Sequence, residues 1–250
     1  MVIEPDSWLS ERFGHPLFSL RRFEGDEPGA AEALRRHAGE HRAVSYQAKV
    51  PTERTGLMEA LVGAGLRVVN TAITLGREPR DLAPDPSQSA CAIGEAVPED
   101  GEALLDIAER SFWATRFHLD PQVPGDVASR IKRDWVEAYL RHERGDQLLV
   151  ARQTDRPVGF LAVLTTDVDG RRVRAIDLTA VDREHRGAGI GEALARRFLE
   201  DSAAAGDYAI VGTQAANTGA IRLYERLGFE VEDTVYDLHA HMGTAFREEP

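Results

Sequence analysis

Cysteine and lysine are nearly missing from this chain: Cys91 stands alone, and Lys49 and Lys132 are the two lysines among 30 basic residues. One cysteine excludes an intrachain disulfide and a cysteine-based metal cluster, and on a strand it reads as a buried apolar side chain. The preference for arginine carries no mechanism by itself. Positive charge is also short, with 30 Lys+Arg against 42 Asp+Glu for a net charge of −12. That balance argues against nucleic acid or an anionic membrane held by bulk electrostatics, so an anionic ligand would have to be gripped locally. No apolar run reaches membrane-span length, and the opening Met-Val-Ile-Glu-Pro-Asp lacks the basic and apolar regions of a secretion signal. The expected location is cytoplasmic.

What remains is the composition of a folded protein, 250 residues with 42% hydrophobic side chains, enough for one large domain or two modest ones. Apolar spacing and Gly punctuation predict strands at Leu17–Phe23, Ala43–Lys49 and Leu66–Leu75, with helices at Pro28–His37 and Arg54–Ala64. Residues 79–89 are polar, rich in proline and without periodicity, and read as a linker between a 1–78 domain and a 90–250 domain. The second part continues with a strand at Ala90–Val97, helices at Glu99–Phe112 and Gly125–His142, and strands at Gln147–Gln153, Val158–Thr166 and Val173–Val181. Asp167-Val168-Asp169-Gly170 reads as the hairpin turn between the last two. A helix at Gly189–Ala204, a strand at Tyr208–Thr213, a helix at Asn217–Leu227 and a strand at Phe229–His241 complete an α/β pattern with a mixed, partly antiparallel sheet flanked by helices.

The two parts share a repeat. Placing Thr55–Leu75 on Thr218–Leu238 makes six of 21 aligned pairs identical, among them Gly65/Gly228 and Leu75/Leu238. Any helix–Gly–strand unit could align this way; if the repeat is a duplication, the smaller N-terminal α/β domain is a degenerate half-copy in which Leu61 stands at the place of Tyr224.

Chemistry concentrates where the strand ending at Val181 runs into Arg186-Gly187-Ala188-Gly189-Ile190-Gly191 and a helix begins. Three glycines let backbone N–H groups converge, and the helix N-terminus adds partial positive charge, so the turn suits a pyrophosphate. A dinucleotide fingerprint fails because Glu192 stands where its third Gly belongs, and no Gly-Lys-Ser/Thr is present for a nucleotide-triphosphate loop.

Arg186–Gly191 and the later Asn217…Ala220…Tyr224…Gly228-Phe229 together resemble the GNAT superfamily of N-acetyltransferases. The resemblance implies an acetyl-CoA cofactor whose pantetheine arm pairs with Leu178, Thr179, Ala180 and Val181. Its pyrophosphate would lie on Arg186, Gly187, Ala188, Gly189, Ile190 and Gly191, and Asn217 and Tyr224 would touch the cofactor from the next helix. It also implies Tyr224 as the acid that protonates the departing thiolate and places Asp177 where members often carry an acid, so that it assists removal of the amine proton through water. Alternation with Ile176 and Leu178 is equally consistent with a solvent-facing Asp177. His239 and His241 alternate on the last strand without a third ligand at fitting spacing, which favours a surface strand face and no metal.

Shorter pieces in both parts, Ile3-Glu4-Pro5, Gln47-Ala48-Lys49, Arg116-Phe117, Trp135 and Thr213-Gln214, resemble the dTDP-fucosamine acetyltransferase group. The implied acceptor is a small-molecule amine on a nucleotide-linked (dTDP) sugar; the acid at Asp177 departs from that group. Arg116 could fork onto a phosphate or carboxylate, and Phe117, His118 and Gln214 are the other candidate substrate contacts. A different amine acceptor, or an acyl-CoA sensor without turnover, are the alternatives, and a homodimer is left open.

Overall fold

Alternation in the strands and apolar stripes in the helices resolve into one mixed sheet with helices on both faces. The computed structural model describes residues 1–23, 27–80, 82, 91–243 and 245–246. Its elements are β1 (Val2–Pro5), α1 (Ser7–Phe13), β2 (Leu17–Arg21), α2 (Glu27–Ala38), β3 (Ala43–Pro51), α3 (Thr55–Gly63) and β4 (Arg67–Arg77). They continue with β5 (Ala92–Glu95), α4 (Gly101–Ser111), α5 (Gly125–Leu140), β6 (Gln147–Gln153), β7 (Arg156–Val168) and β8 (Arg171–Val181). The chain then forms α6 (Ile190–Ala205), β9 (Tyr208–Gln214), α7 (Thr218–Arg226) and β10 (Glu230–Gly243). Among the described residues no helix is long and apolar enough to cross a membrane.

Every predicted element is present with ends shifted by a few residues. The β7–β8 turn lies at the expected place, with Asp169 and Gly170 at positive φ. The sequence reading passed over β1 and α1. Their signals were there: Asp6 caps α1 by accepting from Leu9 N–H at 3.0 Å, and Gly14 ends it at φ +72°. Four strand residues closing on a proline gave too short a period to register.

The strand order is β1-β2-β3-β10-β4-β9-β8-β7-β6-β5. β10, from the second part of the chain, lies between β3 and β4 of the first, so the expected boundary divides the sequence and not the sheet. Apart from residues 79, 80 and 82, the expected linker lies outside the described residues. Val235 of β10 faces Ala72 of β4, an offset of 163, the difference between 235 and 72. The same offset carries the β3–β10 ladder (Pro51↔Val235) onto the β9–β4 ladder (Gln214↔Ala72). It also carries the parallel stretch 45–48, paired with β2, onto 208–211, paired with β8. Each half thus lends its last strand to the other around a local dyad through Ala72 and Val235.

Four apolar clusters hold the sheet. One, on α6 and α7, contains Leu75, Ile176, Phe198, Val211 and Tyr224; one on α2 and α3 contains Leu34, Tyr46, Leu57, Leu61, Leu238 and Ala240. On the other face α4 and α5 cover Phe160, Leu178 and Ala180, and Leu9 and Phe13 of α1 pack with Phe117 and Ile131. A buried Leu or Phe contributes about 2 kcal/mol, so Leu238 and Ala240, in the core of the first half, tie β10 there.

Candidate active site

The parallel pairing of β8 with β9 ends at Ile176↔Val211, and beyond it the two strands part. Their separation leaves the backbone of residues 177–181 unpaired on that side and opens a cavity of about 790 Å³. At the apex, β8 carries a bulge: Ala162 faces Leu178 and Val163 faces Ile176, so Asp177 is the extra residue. Ile176 packs on the α6 face and Leu178 on the α4–α5 face, a switch that strict alternation would forbid. The cavity is lined by Leu178, Thr179, Ala180 and Val181, by Arg186, Gly187, Gly189, Ile190 and Gly191, and by Gln214, Asn217 and Tyr224. Ala188 is exposed beside it.

Gly187 and Gly189 have φ of +81° and +77°, a region that L side chains rarely adopt, and open space lies where a Cβ would stand. Gly189 opens α6, whose first-turn N–H groups face the cleft with the helix's positive end. The Arg186 guanidinium is tied to Val181 O (3.1 Å) and Ser111 O (2.8 Å), bracing the turn against the end of α4. Asn217 caps α7 through Oδ1, which accepts from Ala220 N–H at 3.4 Å. These features fit a pyrophosphate in the turn and an extended arm against β8. Tyr224 is 3% exposed, its ring edge-on to Phe229, and its hydroxyl has no hydrogen-bond partner among the described residues. Burial pushes its pKa up, so the phenol is protonated at neutral pH.

Asp177 does not face solvent. Its Oδ2 accepts from Trp135 Nε1 (2.9 Å), Tyr139 OH (2.7 Å) and Arg144 Nε (2.7 Å), and its Oδ1 from Arg144 Nη2 (3.0 Å). Burial raises its pKa, but the bonds from Arg144 and Tyr139 outweigh that and hold the carboxyl below its usual range. A carboxylate so engaged is a poor proton acceptor, and its partners come from α5 and the segment after it, which strand alternation could not reveal.

Asp177 also lines a second cavity of about 1180 Å³ between α5 and the first half of the sheet. Its walls include Asp6, Trp8, Arg21, Gln47, Lys49, Arg116, Trp135, Asp237 and His239. Arg116 reaches in over the Phe117 ring, 4.5 Å from its centroid, and its buried Nε has no partner. Burial lowers its pKa, and Asp237 and Asp6 offset only part of that. Lys49 shares the cavity, lowered by desolvation and supported by Asp237.

Phe117 and His118 line neither cavity. Phe117 is buried against Phe13 and His239, because the connector between α4 and α5 turns it inward. His118 Nδ1 bonds Thr115 Oγ1 at 2.7 Å. His239 and His241 are buried, not on a surface face: Asp120 Oδ2 holds His239 Nδ1 at 2.8 Å and His241 Nε2 at 2.9 Å. Asp120 is the third ligand-type residue that sequence spacing did not show. Lys132 lines the cofactor-side cleft and was also missed; the signal was a lysine on the buried stripe of α5, between Ala128 and Val136.

Residues 106–229 match the Acetyltransferase (GNAT) family. The chain is 32% identical over 152 residues to the spore coat polysaccharide biosynthesis protein SpsD of Bacillus subtilis, covering 60% of this chain and 51% of that protein. It thus spans about half the length of that relative. It is 26% identical over 195 residues to dTDP-fucosamine acetyltransferase of Escherichia coli, covering 77% of this chain and 80% of the relative. A GCN5-related N-acetyltransferase from Sphaerobacter thermophilus shares the fold with a TM-score of 0.60 at 20% identity, over 92% of this chain and 74% of that one. A strand pair that parts at a bulge, a glycine turn opening α6 and the match over 106–229 converge: the chain carries an acetyltransferase domain of the GNAT family.

Proposed function

We propose that this protein transfers an acetyl group from acetyl-CoA to the amine of a small anionic acceptor, a nucleotide-linked amino sugar. Acetyl-CoA would supply the thioester acyl group. The glycine turn 186–191 and the start of α6 would hold its pyrophosphate, residues 178–181 its arm, and Asn217 its edge. The buried, protonated Tyr224 phenol is suited to give its proton to the departing thiolate. Asp177 fixes Arg144, Tyr139 and Trp135 where the two cavities meet, which makes it a positioning residue on this reading.

The observation that carries the acceptor class is Arg116. A buried guanidinium without a carboxylate partner is costly unless a ligand supplies the anion, and the second cavity has room for a nucleotide beside a sugar. The name of the Escherichia coli relative supports the same class. The first half of the chain supplies Arg21, Gln47 and Lys49 to this cavity. The shared 163-residue register supports reading residues 1–78 as a degenerate copy that turned from cofactor binding to acceptor binding, with buried Leu61 at the place of Tyr224.

The test is a panel of nucleotide-linked amino sugars, their free amino sugars and unrelated amines, each incubated with acetyl-CoA and followed by mass. One nucleotide-linked member should gain the mass of one acetyl group faster than its free sugar. Equal rates for both would remove the nucleotide, and no transfer to any amine would leave an acyl-CoA-binding protein without turnover.

A further inference from the structure

The titratable side chains lining the cofactor-side cleft are His185, Arg186, Glu192 and Arg226, on the glycine turn, the segment just before it and the helices α6 and α7, and Lys132, Asp177 and Tyr224. Asp177 already accepts four hydrogen bonds, and Tyr224 is a protonated phenol fit to donate. Lys132 is uncommitted. It is 7% exposed, and its Nζ stands 4.3 Å from the centroid of Trp135 and 5.6 Å from that of Phe112. Among the described residues it has no ion pair and no hydrogen bond.

We infer that Lys132 is the general base of the proposed transfer, taking the proton from the acceptor's ammonium group at the point where the two cavities meet. The inference rests on the proposed reading of those cavities. One N–H bond of the acceptor breaks as an Nζ–H bond forms, freeing the amine lone pair to attack the acyl carbon. As the C–S bond breaks the thiolate takes the Tyr224 proton, a second proton lost from the acylated nitrogen restores Tyr224 by way of solvent, and the proton on Nζ leaves for solvent. The groups around Nζ come from every element packed on it: Arg116 and His118 from the α4–α5 connector, Arg144 from the segment after α5, and Asp177 from β8. Burial and the charge of Arg116 bring the resting ammonium down to about 7, with Asp177 opposing, so the free amine is well populated at neutral pH. The faces of Trp135 and Phe112 then stabilise the cation that the step creates. A second candidate, the Asp120–His239 pair with its unpartnered Nε2, faces the acceptor cavity from β10, across β4 and β9 from the bulge.

With two lysines in the chain, protein carrying ¹³C-labelled lysine gives two side-chain Cε signals, and Lys132→Arg assigns them. One signal should titrate near neutrality and vanish in the variant. Lys132→Arg keeps a positive charge but accepts no proton, so kcat at neutral pH should fall about a hundredfold with little change in acceptor KM. Lys132→Met should regain turnover as pH passes the acceptor amine's own pKa. A Lys132 titrating above about pH 9, or a Lys132→Arg enzyme with the native pH profile, overturns the base and leaves the transfer standing. A native enzyme that acetylates no member of the panel overturns both.

Discussion

Replacing Asp177 by Asn takes one charge out of a site arranged around it. The amide oxygen in the place of Oδ2 can still accept from Trp135, Tyr139 and Arg144 Nε, but the NH₂ group in the place of Oδ1 faces Arg144 Nη2, so the guanidinium loses its 3.0 Å bond and the carboxylate charge behind the 2.7 Å one. Breaking a fully buried ion pair costs about 3–5 kcal/mol. Here the Asp177 side chain is 13% exposed and that of Arg144 36%, so the guanidinium can turn partly to water and the cost falls to about 2 kcal/mol. For a chain of this size that lowers Tm by roughly 4–8 °C. The sign with pH follows from the lowered carboxyl: its stabilisation is complete above the unfolded pKa near ~3.9 and is lost as pH falls through the lower folded value. Urea unfolding followed by circular dichroism at neutral pH and in a series below about pH 4 should show the gap between native protein and variant closing in acid. Equal stability at neutral pH, or a gap that does not close, would refute the ion-pair reading of Asp177.

Tyr224→Phe should lower turnover about a hundredfold and leave acetyl-CoA affinity within a few fold, by steady-state kinetics and calorimetry; an unchanged rate removes the phenol from the reaction. Gly189→Val places a β-branched residue at φ +77°, costing about 1–3 kcal/mol locally, and sets a side chain in the pyrophosphate turn. Calorimetry should show acetyl-CoA binding lost while the fold persists, and normal affinity would undo the assignment of the turn. Arg116→Met removes a buried cation without a carboxylate partner, so Tm should hold or rise while acceptor KM rises more than about tenfold. A lower Tm with unchanged KM would make Arg116 a structural residue.

Local signals carried most of the fold. Gly65 and Gly228 end their helix–strand units at positive φ, as their sequence position suggested, and the repeat built on them marks the strands that change places. The exchange itself was not legible, since a β-strand's sequence does not say which neighbour it will find. The glycine turn was readable because backbone geometry dictates glycine there. Asp177 was not, because the bulge moves it out of alternation and its partners lie more than thirty residues away on α5 and beyond it. Lys132 was readable in principle, as a charge on an apolar stripe. Phe117 illustrates the opposite error: an aromatic near the expected acceptor site that the connector turns into the core.

The interchange of β4 and β10 also sets an order of events during synthesis. While residues 1–78 are emerging, the slot between β3 and β4 has no occupant, and the cluster on α2 and α3 lacks Leu238 and Ala240. Two open strand edges would remain available to other chains until β10 has been translated. A cut within 79–89 would leave each fragment with a gap where the other's strand belongs. The two fragments made together would form a complementing pair, held by the ladders β3–β10–β4–β9 with no covalent link.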